Sequence, residues 1–143
     1  MENNAKFKVR WIIFKDNKVL LGKDVNWGLI VPWWTMDIWE LIEECFLREI
    51  FEETWIIAKK GDLYGIYDHF SKSKKTTSIS AIYYIDNPND FINIDLSVAS
   101  HWHENEYFKY MSLEEIDKKI IEYWIDIFPY GVYKDIKNTL LKK

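Results

Sequence analysis

The sequence has little glycine, one cysteine and no excess of positive charge. Its 143 residues include 5 Gly against 8 Trp, although average usage of about 7% would give roughly 10 Gly in a chain of this length. The single cysteine, Cys45, excludes an internal disulfide, and we expect it to be a buried structural thiol. A net charge of -4 and a pI of about 5.4 give no basic field for a nucleic-acid backbone, so no nucleic-acid polymer is expected as a partner.

Long apolar segments are also absent. The first ten residues, MENNAKFKVR, lack the apolar core of a signal peptide, and no uninterrupted apolar run is long enough to span a bilayer. We therefore expect a cytoplasmic protein with no membrane partner, and its oligomeric state is left open. An apolar content of 48% suffices for one domain with a core, so residues 1–143 are interpreted as a single globular domain.

The sequence does contain an acidic segment with helical spacing, between Trp34 and Ile56. Apolar residues recur along it and form one stripe: Leu41, Ile42, Cys45, Phe46 and Ile50. Glu49, Glu52 and Glu53 fall at i, i+3 and i+4 and share another face. Like charges at this spacing lower helix stability by a few tenths of a kcal/mol per pair, roughly. A bound divalent cation would offset that repulsion.

Arg48 is the only cation between Glu40 and Glu53. It lies four residues after Glu44 and four before Glu52, so it can bridge carboxylates along the helix and hold them in place. The alternative is a solvated charged face, which is the usual role of a run of charges. The absence of lysine from the acidic face counts against that alternative.

The spacing of these residues resembles the Nudix box, whose family pattern is G-x5-E-x7-R-E-U-x-E-E-x-G-U, where U is a bulky aliphatic residue. The matching residues are Glu40, Arg48, Glu49, Ile50, Glu52, Glu53 and Ile56, with Pro32 preceding the box. The resemblance is close within the box and holds in outline elsewhere. It implies an α/β fold, a Nudix-like α/β/α sandwich with a mixed sheet, which agrees with strands that flank one acidic helix.

The resemblance also implies an activity. Nudix proteins are typically hydrolases that cut the phosphoanhydride of a nucleoside diphosphate linked to another group, with Mg²⁺ or Mn²⁺ as cofactor and a small-molecule nucleotide as substrate. Carboxylates suit this chemistry because hard cations prefer oxygen ligands and neutralise phosphate charge during in-line attack by water. The alternatives are a nucleoside triphosphate pyrophosphohydrolase and a Nudix-fold binding module without catalysis. A purely structural domain does not explain seven positions in register.

The resemblance assigns roles to the acidic residues. Glu52 and Glu53 are expected to bind the metal, and Glu49 to bind it or to activate the attacking water. Arg48 is expected to orient these carboxylates, with Glu40 as an outer partner. These five residues form the core of the predicted site.

Further metal ligands are implied outside the helix. A backbone carbonyl near Trp34 often joins the metal shell in the family, and a glutamate in a later loop often supplies another ligand, for which Glu104 and Glu106 are the candidates. A zinc site built on His101 and His103 is the alternative for that loop, but no cysteine or third histidine lies near enough in sequence to complete it.

Tryptophan replaces the glycines of the family pattern throughout this segment, at Trp33, Trp34, Trp39 and Trp55. At Trp55 the family glycine resembles a helix C′ cap in the αL conformation, which a bulky residue strains. Trp and Gly codons differ by one base, and bacterial codes differ in whether they read UGA as glycine or as tryptophan. We hypothesise that the sequence was translated with the wrong code. A diverged family member with an altered loop is the alternative.

The remaining chain shows alternating strand and turn patterns. Strands are predicted over residues 7–14, 19–21, 29–31, 63–70, 78–85 and 107–111, with a hairpin turn at Asp16 and Asn17. Polar connections or turns are predicted over residues 22–28, 59–62, 71–77 and 86–95. A capping box at residues 112–115 predicts a helix to about Tyr123. Helical spacing predicts a last helix with Val132, Tyr133, Ile136 and Leu140 on one face.

Two groups outside the box have the chemistry to contact substrate. Tyr64, Tyr67 and Phe70 have rings that can stack on a nucleobase, although we expect core packing for them. The lysines of residues 71–77 can contact phosphate, although we expect a solvated hairpin tip there. Substrate identity does not follow from these residues.

Overall fold

The computed structural model describes residues 5–24, 28–37, 39–72, 75–91, 105–123, 127–128 and 131–142. The strands are β1 (Ala5–Ile12), β2 (Phe14–Lys15), β3 (Lys18–Asp24), β4 (Gly28–Ile30), β5 (Trp33–Thr35), β6 (Lys60–Ser71), β7 (Thr76–Ile85), β8 (Asn105–Met111) and β9 (Ile127–Phe128). The helices are α1 (Ile42–Thr54), α2 (Leu113–Tyr123), α3 (Val132–Leu141) and a short 3-10 helix at Pro88–Phe91.

The strands form two sheets. The first has the order β5-β1-β7-β6, in which β1 and β7 run parallel and the other neighbours run antiparallel. The second has the order β2-β3-β4-β9, with β8 paired to β3 and a parallel pair between β4 and β9. Both sheets are therefore mixed, as the sequence predicts.

The first predicted hairpin divides between the two sheets. Residues 7–14 are predicted as one strand, but the strand breaks at Ile13, so that β1 joins the first sheet and β2 the second. Ile12 and Ile13 are both fully buried, but in different cores: Ile12 packs in the core beneath α3 and Ile13 in the core beneath α1. The turn prediction is confirmed: Asp16 and Asn17 have φ of 51° and 59°, as a two-residue hairpin requires.

Two predicted connections are partly strand. Gly22 lies within β3, where a Cβ would come 2.7 Å from the ring of Phe108. Gly61 lies within β6, where a Cβ would come 2.4 Å from the Asp86 carboxyl group. These glycines allow close approach within a sheet, whereas the sequence analysis assigns them to a polar connection and a turn.

Helix α1 packs on one face of the first sheet. Cys45, Phe46 and Ile50 are fully buried and belong to the same core as Val9 and Trp11 of β1. The expectation of a buried cysteine is therefore confirmed. The assignment of Leu41 to this stripe is wrong: its side chain is 72% exposed, because Leu41 precedes the first turn of the helix.

Helices α2 and α3 cover a second core on the other side of the first sheet. Val132, Ile136 and Leu140 of α3 are buried there with Ile12 and Ile82, as the helical spacing predicts. The capping box of α2 is confirmed by hydrogen bonds from the Glu115 amide to the Ser112 hydroxyl (3.2 Å) and from the Ser112 amide to the Glu115 carboxylate (3.3 Å).

The tyrosines of β6 pack as expected. The Tyr67 hydroxyl donates a hydrogen bond to Asp135, and the Tyr64 and Thr139 hydroxyls are 2.8 Å apart, so both rings face α3. Phe70 is different, because its ring is 56% exposed and lies outside the core. Within the part of the chain that the structure describes, none of the helices combines the length and apolar character needed to span a bilayer.

Candidate active site

The acidic segment forms α1 directly after the edge strand β5. The Leu41 amide donates to the Glu44 carboxylate over 3.0 Å, at the residue that precedes the first turn of the helix. The first intrahelical bond runs from the Cys45 amide to the Leu41 carbonyl at 3.0 Å. Cys45, Phe46 and Ile50 pack against the sheet, so the opposite, charged side of the helix faces away from that core.

Arg48 lies at the centre of this charged side. Its Nη2 is 3.0 and 2.9 Å from the two carboxylate oxygens of Glu40, and its Nε is 3.2 Å from Glu40 Oε2. Its Nη1 is 2.7 Å from Glu49 Oε1 and 3.4 Å from Glu52 Oε2. One guanidinium group therefore holds three of the predicted site carboxylates, which is the arrangement an orienting residue needs. The orienting role itself stays a prediction.

Charge and burial in this cluster shift three pKa values. The hydrogen bond to Glu40 raises the pKa of Arg48, which stays protonated. Burial alone raises the pKa of Glu40, but hydrogen bonds from the Asp37 amide and from Arg48 outweigh it, so the pKa is lowered. Burial, and then Glu40, raises the pKa of the Cys45 thiol to about 12. The thiol is therefore neutral at physiological pH and is no nucleophile.

Replacing Glu40 with Gln is expected to weaken the pH dependence of stability at the acidic end. The folded-state pKa of Glu40 lies below its ordinary value of 4.5. Its carboxylate therefore contributes stability above the unfolded-state pKa, and this contribution is lost as the pH falls through the folded-state value. Urea unfolding between about pH 2 and pH 7 measures the effect. The exposed Glu43, replaced with Gln, is the matched control; equal acid slopes in both variants would contradict the prediction.

The predicted metal ligands are only partly visible in the described residues. Glu49 and Glu52 lie one turn apart and both contact Arg48; the Glu49 side chain is 15% exposed and that of Glu52 48%. Four other candidates fall partly or wholly outside the described part: the side chains of Trp34, Glu53 and Glu106, and all of Glu104. Among the described side chains, no three His, Cys, Asp or Glu groups come together as a metal-binding cluster.

The backbone positions of three of those candidates are described. Glu53 lies in the last turn of α1, one residue after Glu52. Trp34 lies in β5 and pairs with Val9 of β1, and Glu106 lies in β8. His101 and His103, the alternative zinc ligands, fall outside the described residues together with Glu104.

Trp55 ends α1 in the left-handed conformation. Its φ and ψ are 62° and 13°, and its amide donates to the Phe51 carbonyl over 2.8 Å. This confirms the expectation of an αL residue at that position, which glycine adopts without steric cost. Trp55 is 72% exposed and its indole meets the Phe51 ring in a T-shaped contact, and Trp39 is 91% exposed. Neither of these indoles contributes to the core.

Asp37 and Arg10 were not identified from the sequence. The Asp37 carboxylate lies 3.6 Å from Arg48 Nη2, and the Asp37 amide donates to Glu40 over 3.0 Å. The spacing of three residues between Asp37 and Glu40 is the only sequence feature that indicates this contact. Arg10 is 1% exposed and donates to the Val31 carbonyl over 2.8 Å, immediately before the segment that leads into the site.

Comparison with known proteins places the chain in a family. A profile of the NUDIX domain matches residues 7–129, which is most of the chain. The ADP-ribose pyrophosphatase of Methanocaldococcus jannaschii is 31% identical over 109 residues, a region that covers 73% of this chain and 62% of that protein. The chain thus spans less than two thirds of that relative.

Solved structures show the same architecture. A NUDIX hydrolase from Nitrosomonas europaea has a TM-score of 0.68 and 22% identity, covering 96% of this chain and 88% of that one. The MutT protein of Methanosarcina mazei Go1 has a TM-score of 0.67 and 20% identity, covering 96% and 94% of the two chains. At these identities the likeness concerns the fold, and it confirms the predicted α/β architecture with a mixed sheet.

Proposed function

Because the chain belongs to the NUDIX family, we propose that it is a metal-dependent pyrophosphohydrolase that acts on a nucleoside diphosphate linked to another group. The carboxylate cluster around Arg48 is the observation that carries this proposal. A single guanidinium holds Glu40, Glu49 and Glu52 in one place. A helix that needed only solubility would gain little from this arrangement, because exposed ion pairs contribute about 0–1 kcal/mol.

The donor set suits a hard divalent cation. Glu49, Glu52 and Glu53 would supply carboxylate oxygens, with the Trp34 carbonyl and Glu104 or Glu106 as further oxygen ligands, and oxygen is the ligand atom that Mg²⁺ and Mn²⁺ prefer. When bound, the ion supplies charge neutralisation at the phosphoanhydride oxygens. The mutual repulsion of three like charges on one helix face would then be offset.

Arg48 and Glu40 keep the reacting carboxylates in position. The two-oxygen contact between Arg48 and Glu40 fixes the plane of the guanidinium, and its remaining nitrogen reaches Glu49 at 2.7 Å. Glu49 is therefore held at one oxygen and retains a second for a metal ion or for the proton of an attacking water. The exposure of Glu52 leaves it accessible to solvent and ligand. We assign Arg48 as a positioning residue and Glu49 as the ligand or general base.

ADP-ribose is the first substrate to test. The Methanocaldococcus relative is an ADP-ribose pyrophosphatase, and ADP-ribose is a nucleoside diphosphate linked to a sugar. The second candidate, a nucleoside triphosphate pyrophosphohydrolase, is the alternative that the match to the Nudix box leaves open. The products distinguish the two: AMP and ribose 5-phosphate from ADP-ribose, or a nucleoside monophosphate and pyrophosphate from a triphosphate.

Hydrolysis is expected with Mg²⁺ or Mn²⁺ and none with EDTA. The assay compares the sequence as given with a variant that carries glycine at positions 33, 34, 39 and 55, and both receive ADP-ribose and the nucleoside triphosphates. We expect the glycine variant to be faster by on the order of 10²-fold, because a displacement of about 1 Å in a catalytic site costs that much. Product analysis by chromatography identifies the bond that is cut.

Two outcomes would contradict the proposal. The first is an absence of hydrolysis in the glycine variant with every substrate and either metal. The second is an absence of Mg²⁺ and Mn²⁺ binding by calorimetry, which would favour the Nudix-fold binding module without catalysis. Hydrolysis at equal rates in both proteins would leave the hydrolase function standing and would show that the four tryptophans do not impair the site.

A further inference from the structure

Arg10 is a buried cation that joins the two sheets. It lies in β1 of the first sheet, and its Nε donates to the Ser80 hydroxyl of β7 over 2.9 Å. Its Nη1 donates to the Val31 carbonyl over 2.8 Å, and Val31 directly follows β4 of the second sheet. Val31 is fully buried and Arg10 is 1% exposed, so solvent competes little for these bonds. The guanidinium therefore fixes the point at which the chain leaves the second sheet.

A charge at this position lowers the stability of the core. Burial lowers the pKa of Arg10 to about 9, so the guanidinium is still protonated at neutral pH. Burying a cation carries a desolvation cost that an unbranched apolar side chain would avoid. Arginine supplies what such a side chain lacks, namely several N–H donors in one rigid plane, which reach two acceptors at once. The two hydrogen bonds are therefore what this residue contributes at this position.

The segment that Arg10 holds leads into β5, a short edge strand. Pro32 has no amide to donate, and its carbonyl accepts from the Trp11 amide over 3.2 Å. β5 has three residues, and β1 is its only neighbour in the part of the first sheet that the structure describes. Short edge segments open more readily than strands in the interior of a sheet. An anchor at Val31 therefore limits fraying and slippage of β5.

The register of β5 determines where the Trp34 carbonyl lies. Trp34 pairs with Val9, and Trp33 pairs with Arg10 itself. The Trp34 carbonyl is one of the proposed metal ligands, and a slip by one residue would move it about 3.3 Å along β1. A displacement of about 1 Å in a catalytic site already costs on the order of 10²-fold in rate. An anchor outside the three paired residues therefore matters for the metal site.

The same segment reaches the carboxylate cluster. The Met36 amide donates to a carbonyl of β1 over 3.1 Å, which continues the contact one residue beyond β5. The Asp37 amide then donates to the Glu40 carboxylate over 3.0 Å. Glu40 accepts from Arg48 at both of its oxygens. Strand pairing and hydrogen bonds therefore connect β1 with the guanidinium that holds the acidic side chains.

We propose that Arg10 is a positioning residue of the hydrolase. It holds the Val31 carbonyl, and with it the register of β5, so that the Trp34 carbonyl and the acidic cluster are correctly placed for a metal ion. This inference rests on the proposed function, because the placement matters only if a metal ion binds there. In this role Arg10 contacts neither metal nor substrate, so its replacement weakens the metal site without removing a ligand. Residues that orient metal ligands contribute about 10–100-fold in metal affinity or activity.

Hydrogen exchange in the metal-free protein tests the anchor directly. Arg10 is replaced with Met, which keeps an unbranched side chain and removes every N–H donor. In EDTA, we expect the slowest amides of residues 33–37 to exchange about 10-fold faster than in the parent protein, because a bond from a charged donor is lost. Exchange in residues 45–50 of α1 should be unchanged, which would show that the effect is local. Equal exchange of residues 33–37 in variant and parent would overturn the proposal.

Ser80 and Ser78 provide a matched pair of variants. Both are buried serines of β7, but Ser80 accepts the bond from Arg10 Nε, whereas Ser78 pairs with Lys6 further along β1. With Ala at position 80 we expect faster exchange of residues 33–37, by less than in the Arg10 variant, and with Ala at position 78 no change. This pair decides the matter if the Arg10 variant does not fold or exchanges faster throughout. Equal exchange in the two serine variants would then overturn the proposal.

Calorimetry with Mg²⁺ and Mn²⁺ connects the anchor to the metal site. The Arg10 variant is expected to bind either ion about 10–100-fold more weakly than the parent, and the Ser78 variant to bind it equally well. In steady-state hydrolysis, half-saturation with Mg²⁺ should shift to a correspondingly higher concentration, whereas a protein that is merely less stable would keep the same half-saturation.

Two results separate this inference from the proposed function. Unchanged metal affinity in an Arg10 variant of a parent protein that binds metal and hydrolyses substrate would overturn the inference alone. If the parent protein binds neither ion, the proposed function is rejected together with the role of Arg10 at the metal site. The exchange measurement, which needs no metal, then shows by itself whether Arg10 anchors residues 33–37.

Discussion

Replacing Glu53 with Gln is expected to lower kcat by about 10²–10⁴-fold, the usual contribution of a group directly engaged in metal or proton chemistry. Glu53 follows Glu52 in the last turn of α1 and shares a helix face with Glu49. The amide is close in size to the carboxylate but carries no negative charge, so we expect both the affinity for the metal and the turnover rate to fall. Steady-state turnover of ADP-ribose with a Mg²⁺ titration measures both.

The fold should be unaffected by this change. Thermal unfolding of the Glu53 variant without metal is expected to match that of the parent protein, because removing one of three like charges relieves repulsion along the helix. Glu43, exposed in the first turn of the same helix, is replaced with Gln as the control and should leave turnover unchanged. Unchanged turnover in the Glu53 variant would refute its role as a ligand.

Replacing Trp55 with Gly is expected to give a protein about 1 kcal/mol more stable than the variant with Ala at the same position. The residue has φ of 62°, a conformation that costs an L-residue about 1–2 kcal/mol and glycine almost nothing. Part of this gain, about 0.4–1 kcal/mol, is lost because glycine has more freedom in the unfolded chain. Urea unfolding of both variants gives the difference.

The comparison with alanine removes the indole from the result. Both variants lose the contact between Trp55 and the Phe51 ring, so their difference reports the backbone alone. A parallel pair of Gly and Ala variants at Trp39, which has no positive φ, should favour alanine. Equal stability of the two Trp55 variants would show that the backbone relaxes without glycine. Peptide sequencing of protein from the native host reads residue 55 directly and tests the hypothesis of a wrong genetic code.

Local features of the sequence predicted the helices well. Cys45, Phe46 and Ile50 are buried on one side of α1 because their spacing places them on one face, whatever the rest of the chain does. The capping box of α2 at Ser112 and Glu115 is equally local, since its two hydrogen bonds join residues three apart. Spacing likewise indicated that Arg48 can contact acidic side chains along α1.

Contacts between distant residues were not predictable in this way. At Ile13 the chain passes from the first sheet to the second, and periodicity within a single strand carries no information about a second sheet. From the sequence, Gly22 and Gly61 are predicted in a connection and a turn. Their position inside strands is explained only by Phe108 and Asp86, which lie too close to leave room for a Cβ. Buried Arg10 donates a hydrogen bond to Ser80, which is 70 positions away along the chain. From the sequence, Arg10 is only a charged residue within a predicted strand, and nothing in the sequence indicates that it is buried.

The parallel pairing of β1 with β7 affects how the chain folds during synthesis. Arg10 and Ser80, neighbours in the finished sheet, are separated by 70 positions. A ribosome adds about 5–20 residues per second, so roughly 4–14 s pass between the synthesis of β1 and that of β7, with which it pairs. During that interval its apolar residues Val9 and Trp11 depend on α1, which emerges earlier, for cover. A nascent chain stalled before residue 76 is expected to be a ready target for chaperones.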